Sequence, residues 1–330
     1  MTTTMRPTPG PGAETLPGPG AGQDQELAAA TRGLGKRFKG VDAVSELDLE
    51  VPRGSVLGLL GPNGSGKTTT IRMLLGLTAP STGTVELLGA RMPDQAQHVL
   101  STVGALVEGP GFHSFLSGRD NLRRCAAAEP RLATRSIKAA VDSALERVGL
   151  TEAADRRYRG YSLGMKQRLG LAAALLVPRE LVILDEPTNG LDPAGTREVR
   201  AVIGELHREG TTVIVSSHLL AEVEATCTHV AVMNRGSLVA QGQLDELLEA
   251  GNTGLEVRTE EAPAALEALG AERIAAREVE GGVLVDLTTA RPEQVLRVLV
   301  RAEVAVTEAR KQRTGLEDLF AQLTEEGAQA

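Results

Sequence analysis

Tryptophan is absent from this 330-residue chain, and the aromatic class as a whole is thin, with two Tyr and four Phe. Its cores must therefore be built from Leu, Val, Ile and Ala, and an aromatic placed near a loop is conspicuous. Cysteine is almost as rare. Cys125 and Cys227 stand about a hundred residues apart, with no paired spacing and no histidine cluster beside either. That excludes a disulfide framework and offers no zinc motif, so both read as buried or half-buried thiols in a reducing compartment. No apolar run approaches the roughly 18 residues of a membrane span, and the N-terminus lacks the charged-then-apolar layout of a secretory signal. The chain is thus expected to stay on the cytoplasmic side and to meet any membrane through a partner. Positive charge is not in excess either. A net charge of -8 leaves no electrostatic footprint for a nucleic-acid partner.

What is present is enough for at least two domains: 42% of residues are apolar and 24% charged, ample for packed cores. The first 20 residues hold five Pro and four Gly, a composition that cannot offset the entropy of ordering, so 1–26 reads as a disordered tail. From about residue 27, short apolar strands alternate with helical stretches, the signature of a largely parallel α/β sheet. Ser55–Leu60, Leu181–Leu184 and Thr211–Ser216 are near-continuous apolar runs, as strands covered on both faces are. Between the first two, residues 101–176 carry helical periodicity and read as a helical insertion. Val230–Met233 and Ser237–Val239 flank Asn234-Arg235-Gly236, a hairpin signal.

Past Gln243 the pattern restarts. It predicts strands at Leu255–Thr259, Arg273–Val279, Val283–Leu287 and Val304–Ala309, and helices at Ala262–Gly270 and Pro292–Arg301. Thr314 with Glu317 reads as a capping box opening a last helix. The βαββαβ order describes a small α+β unit, so the chain divides into 1–26, 27–245 and 246–330, the last without catalytic motifs.

Gly61-Pro62-Asn63-Gly64-Ser65-Gly66-Lys67-Thr68 fits G-x-x-x-x-G-K-[ST], follows an apolar strand and opens a helical stretch at Thr69. Glycines let backbone amides approach phosphate closely, and the helix N-terminus adds favourable dipole. Lys67 supplies a point charge to the β- and γ-phosphates, and the Thr68 hydroxyl is placed for Mg²⁺. Leu181–Leu184 runs into Asp185 and Glu186, two carboxylates at a strand's C-terminal edge. Asp185 there suits a metal ligand and Glu186 a base for water, which favours hydrolysis over transfer to a bound acceptor.

From about residue 28 to 245 the chain resembles the ABC transporter ATPases, a P-loop NTPase family. The resemblance rests on Asp185-Glu186-Pro187-Thr188-Asn189-Gly190-Leu191-Asp192-Pro193, on Ser216-Ser217-His218, and on Tyr161-Ser162-Leu163-Gly164-Met165-Lys166-Gln167-Arg168. It implies that His218 contacts the γ-phosphate. It implies as well that Ser162 and Gly164, with Asp192, reach across a head-to-tail dimer to ATP held by the second subunit. The signature departs from the family's L-S-G-G-Q at Tyr161, Leu163 and Met165, and Ser162 also reads as a plain helix N-cap. Phe38 falls where the family stacks an aromatic on adenine, with core packing as the alternative. Glu108 occupies the place of a glutamine that senses Mg²⁺, and a carboxylate there still offers oxygen to a hard cation.

Glu108 and the Leu-Gly-Met-Lys-Gln signature are similar to the bacitracin- and lantibiotic-type drug-export subgroup. The implied function is an ATP-hydrolysing subunit powering export of a drug-like or peptide molecule through a separate integral membrane permease, at the cytoplasmic face of the membrane. The alternative is a soluble ABC ATPase acting on ribosomes or DNA. Proteins of that kind usually carry two cassettes in one chain or long coiled-coil insertions, and neither is visible here.

Overall fold

The computed structural model describes residues 26–107, 111–250, 254–288 and 290–311. Three expectations lie outside the described residues: the tail over 1–26 save its last residue, Glu108, and the helix expected after Thr314.

Six strands make the central sheet, in the order Ser237–Gln243, His229–Asn234, Val56–Leu60, Thr212–Ser217, Leu181–Asp185, Val103–Leu106. All neighbours run parallel except the first pair. Alternate residues of one strand enter different cores. Val56 and Leu60, Val182 and Leu184, Val213 and Val215 pack with the helices on one face. Leu57 and Leu59, Leu181 and Ile183, and Ile214 pack on the other. Burial on both faces is why these strands read as unbroken apolar runs rather than as an alternation.

The second face is covered by the Lys67–Leu74 helix and by an antiparallel sheet that the sequence pattern does not announce. Its long strand, Leu27–Phe38, pairs with Val41–Leu47, Glu50–Pro52 and Thr82–Leu87. That strand contains Ala28-Ala29-Ala30 and two glycines and is broken by register shifts. Residues of low β-propensity are held in a strand by tertiary pairing, which overrides the local signal.

The insertion expected over 101–176 is helical only in part. Val103–Leu106 is a strand and forms the edge of the main sheet, in register with Leu181–Leu184. Four residues are too few to show a period, which hid it. The helices are Gly118–Ala127, Ile137–Arg147 and Leu163–Ala174. The Asn234–Ser237 hairpin forms with both central residues at positive φ, Arg235 at 47° and Gly236 at 88°, the conformation of a type I′ turn.

Beyond residue 254 a four-stranded antiparallel sheet, ordered Ala276–Val279, Gly282–Asp286, Gly254–Arg258, Glu308–Lys311, packs on the Ala262–Ala271 and Pro292–Arg301 helices. Leu255, Val257, Leu269, Val283, Val295 and Leu299 belong to a third core of its own. Two strands begin later than the apolar pattern predicts, for one reason. Arg273 and Glu303 adopt φ of 58° and 57° after their helices. Ile274 N donates to Leu269 O at 3.0 Å, and Val304 N to Leu299 O at 3.0 Å. These are Schellman caps, in which an apolar residue folds back on the helix it ends. Ile274 and Val304 thus finish helices instead of starting strands.

Cys227 is buried at 8% exposure, and burial pushes its thiol up to about 12. Thiolate is the reactive form, so at pH 8 only about 10⁻⁴ of this thiol is nucleophilic. Iodoacetamide is expected to leave Cys227 unmodified in the native protein and to label it once urea unfolds the chain, as peptide mass mapping would read.

Candidate functional site

The central strands end flush. Leu59 pairs with Ser216, Leu60 with Ser217, and Asp185 with Ser216. The residues that follow, Gly61, Glu186 and His218, therefore emerge side by side at the C-terminal edge of the sheet, where ligands bind in open α/β folds.

Gly61–Gly66 then turns into the Lys67–Leu74 helix. Gly66 has φ of 103°, and a Cβ there would stand 2.7 Å from the carbonyl oxygen of Ala43, so only glycine lets the loop and the neighbouring hairpin approach this closely. Two further contacts brace the loop: Gly236 N donates to Ser65 O at 3.1 Å, and Ser45 N to Gly236 O at 2.9 Å. Pro62, Asn63 and Gly64 are exposed at the crest, while Thr68 and Thr69 are half-buried on the first helical turn. That turn carries backbone N–H groups with no intrahelical partner.

Lys67 is 5% exposed. Its ammonium donates to the carbonyls of Gly61 at 2.7 Å and Pro62 at 3.2 Å and stands 3.6 Å from Glu186 Oε1. A buried cation needs such acceptors. The second Glu186 oxygen lies 2.7 Å from Nδ1 of His218. With the carboxylate as acceptor, Nδ1 carries the proton, which turns Nε2 outward as the free position. Glu186 is thus held from both sides, by an ammonium and an imidazole.

The backbone of Glu186 is strained. Its φ of 47° costs a non-glycine residue about 1–2 kcal/mol. Ser216, which carried no assigned role in the sequence, helps to hold it: its Oγ accepts from Glu186 N at 2.9 Å and donates to Asp185 Oδ1 at 2.6 Å. The only sequence signal was its place two residues before His218. Asp185 accepts this one bond, and a carboxylate has about four acceptor positions, so it keeps capacity for a cation. Ser65 Oγ, in a residue 2% exposed, has no partner among the described residues. A buried hydroxyl without a partner beside a buried lysine fits an anionic group bound at this loop.

Ser162, Gly164 and Asp192 form a second group. Ser162 caps the Leu163–Ala174 helix, accepting from Met165 N at 3.2 Å. Asp192 caps the Pro193–Arg208 helix, accepting from Gly195 N at 2.9 Å. The two helix starts meet: Leu191 Cδ2 lies 3.6 Å from the Cβ position of Gly164, and Leu163 Cδ2 lies 2.8 Å from that of Gly190, whose φ is 73°. Tyr161, where the family has leucine, is 5% exposed and donates from its hydroxyl to Ala153 O at 2.7 Å. Its ring lies 5.8 Å from that of Tyr158, which meets Phe112 edge-on at 5.4 Å. Three of the chain's six aromatics thus anchor the entry to this helix.

Phe38 is 47% exposed, which rules out the core-packing alternative. It ends the Leu27–Phe38 strand with Lys36 Nζ 5.0 Å from its ring centroid, on the sheet whose Ala43 and Ser45 brace the loop and the Gly236 turn. The described residues contain no group of three or more His, Cys, Asp or Glu that could hold a metal ion.

The ABC transporter family model matches residues 44–189, a span that holds the Gly61–Thr68 loop, Ser162, Asp185 and Glu186 and stops before Asp192 and His218. YhcH of Bacillus subtilis, an uncharacterized ABC transporter ATP-binding protein, is 38% identical over 293 residues, 88% of this chain and 94% of the relative. The bacitracin transport ATP-binding protein BcrA of Enterococcus faecalis is 43% identical over 223 residues, 67% of this chain and 71% of BcrA. Among solved structures, cbiO1 from Clostridium perfringens, part of the ABC transporter complex cbiONQ, superimposes with a TM-score of 0.61 at 28% identity, covering 68% of this chain and 92% of that one.

The partnerless Ser65 hydroxyl gives this site a two-sided test. Its burial costs the nucleotide-free protein about 1 kcal/mol, so Ser65→Ala is expected to raise the melting temperature without nucleotide. The same variant is expected to shrink the stabilisation gained on adding ADP or ATP, as thermal unfolding would measure.

Proposed function

This chain belongs to the ABC transporter family as one of its ATP-binding proteins, an ATPase, and on that premise we propose which residues hold and cleave the nucleotide and what the cleavage drives. Lys67, with the amides of Gly61–Thr69, holds the β- and γ-phosphates of ATP. Phe38 stacks on the adenine. Thr68 and Asp185 are the residues that would hold magnesium, with Glu108 adding a further oxygen. When bound, the ion supplies positive charge that offsets what develops on the phosphate oxygens.

Glu186 orients the attacking water and receives its proton. The observation that carries this is the placement of its carboxylate between the Lys67 ammonium and the His218 imidazole, at the edge where the loop emerges. Lys67 holds one oxygen of Glu186 at 3.6 Å, and His218 fixes its direction through the other while presenting Nε2 toward the γ-phosphate. Ser162, Gly164 and Asp192 lie apart from this group on their own helix starts. They complete a second subunit's site in a head-to-tail dimer closed by ATP. Because ATP favours the closed pair, its binding and cleavage shift a coupled partner between two states.

That partner is an integral membrane permease, with this chain docked at its cytoplasmic face, and the cargo is a drug-like or peptide molecule. The likeness to BcrA, a bacitracin transport protein, supports the cargo class. Among the described residues no helix is long and apolar enough to cross a membrane.

Glu186→Gln removes the base while keeping shape and hydrogen-bond capacity. Phosphate release is expected to fall by about 10²- to 10⁴-fold, with nucleotide affinity within a few-fold of the parent by fluorescent-nucleotide titration. For the partner, tagged chain purified from detergent-extracted membranes of its own host should bring down a polytopic membrane protein whose presence changes the ATPase rate. Recovery of ribosomes or DNA instead would favour the soluble-ATPase alternative.

A further inference from the structure

Glu222 stands four residues beyond His218, in the first turn of the Leu220–Thr226 helix, half-buried, with its carboxylate hydrogen-bonded back toward the site. One oxygen, Oε2, accepts from Thr188 Oγ at 2.5 Å and from Ser217 Oγ at 3.3 Å. Thr188 is 9% exposed and Ser217 3%, so both donors are buried while the bonds themselves are part-buried. The two donors sit on different elements, Thr188 on the loop after the Leu181–Asp185 strand and Ser217 at the end of the Thr212–Ser217 strand. Thr188 follows Glu186 by two residues, and Ser217 immediately precedes His218. Ser217 is fixed further by Leu219 N, which donates to its Oγ at 3.0 Å.

We propose that Glu222 is a positioning residue that ties the Glu186 loop to the His218 loop and so sets the 2.7 Å contact between Glu186 and His218. This rests on the hydrolytic roles given above to those two residues. Strained backbone persists where its surroundings over-determine it. Ser216 holds Glu186 at its amide, His218 meets its carboxylate, and the Glu222–Thr188 bond pins the chain two residues on. Without that last tie, the φ of 47° at Glu186 can relax and carry the carboxylate off the water it must orient. Nothing in this role touches phosphate, so binding and chemistry should separate.

The test uses the 330-residue chain, the four single variants Glu222→Ala, Glu222→Gln, Thr188→Val and Glu186→Gln, and the double variant Glu222→Ala/Thr188→Val. The expected result is a fall in kcat of about 10- to 100-fold in Glu222→Ala and Thr188→Val, as for a misplaced reacting group, with KM for ATP and ADP affinity changed less than about three-fold. Glu222→Gln, whose amide oxygen accepts the same two hydroxyl protons, should recover kcat to within about three-fold of the parent. Combining Glu222→Ala with Thr188→Val should cost little more than Glu222→Ala alone, because the Thr188–Glu222 bond is already lost in that variant. A wild-type kcat in Thr188→Val, or losses that multiply in the double variant, overturns the clamp. Equal losses in kcat and ADP affinity would assign Glu222 a merely structural role and overturn it too. Undiminished hydrolysis by Glu186→Gln would instead remove the reading of Glu186 on which the clamp stands, a failure distinguishable from the others because it appears in a variant with Glu222 intact.

Discussion

The register of three parallel strands is the constraint from which the site follows. Val56–Leu60, Thr212–Ser217 and Leu181–Asp185 are locked by backbone ladders whose last rungs coincide, Leu60 with Ser217 and Asp185 with Ser216. A slip of one residue would turn every side chain of a strand to the opposite face, moving Val182 and Leu184 out of one core and Leu181 and Ile183 out of the other. Two packed faces therefore defend a register that neither the loop nor the carboxylates could hold alone. The chemistry at the edge is positioned by hydrophobic burial some distance below it.

Charge is then placed where burial makes it act. Lys67 is held by two carbonyls and one carboxylate, the acceptors that a buried cation requires. Glu186 faces it in a backbone conformation that an unconstrained glutamate would leave. The strain is kept by a set of short bonds from neighbouring strands, and each of these joins residues far apart in the chain.

That separation decides what was legible in the sequence. The Gly61–Thr68 loop, the Asp185-Glu186 pair and the Asn234-Arg235-Gly236 hairpin could be read because their requirements are local: a turn, a close approach, or a strand end, each written in adjacent residues. The Leu27–Phe38 sheet could not, since alanines and glycines become a strand there through pairing partners as distant as Leu87, which pairs with Ala29. Val103–Leu106 was too short to carry a period. Ile274 and Val304 looked like strand starts because an apolar residue closing a Schellman cap and one opening a strand are identical in a one-dimensional pattern. Ser216 and Glu222 were legible as residues and not as roles, for their hydrogen bonds cross between strands and helices some thirty residues apart.

The same distinction bears on the signature helix. Tyr161, Leu163 and Met165 depart from the family's usual residues, and on sequence alone the departures weaken the motif. In the fold they have separable consequences. Tyr161 replaces a leucine with a larger ring and adds a hydroxyl that reaches Ala153 O, so the entry to the helix gains a polar anchor while staying buried. Met165 contributes its backbone N–H to the Ser162 cap, a task any residue but proline can perform. Leu163 is the substitution with an exposed consequence: it is 53% exposed, and its Cδ2 stands close enough to Gly190 that the loop between Glu186 and Asp192 cannot shift toward it without displacing it. The loop that follows Glu186 and the start of the helix that Ser162 caps therefore pack against each other within one chain.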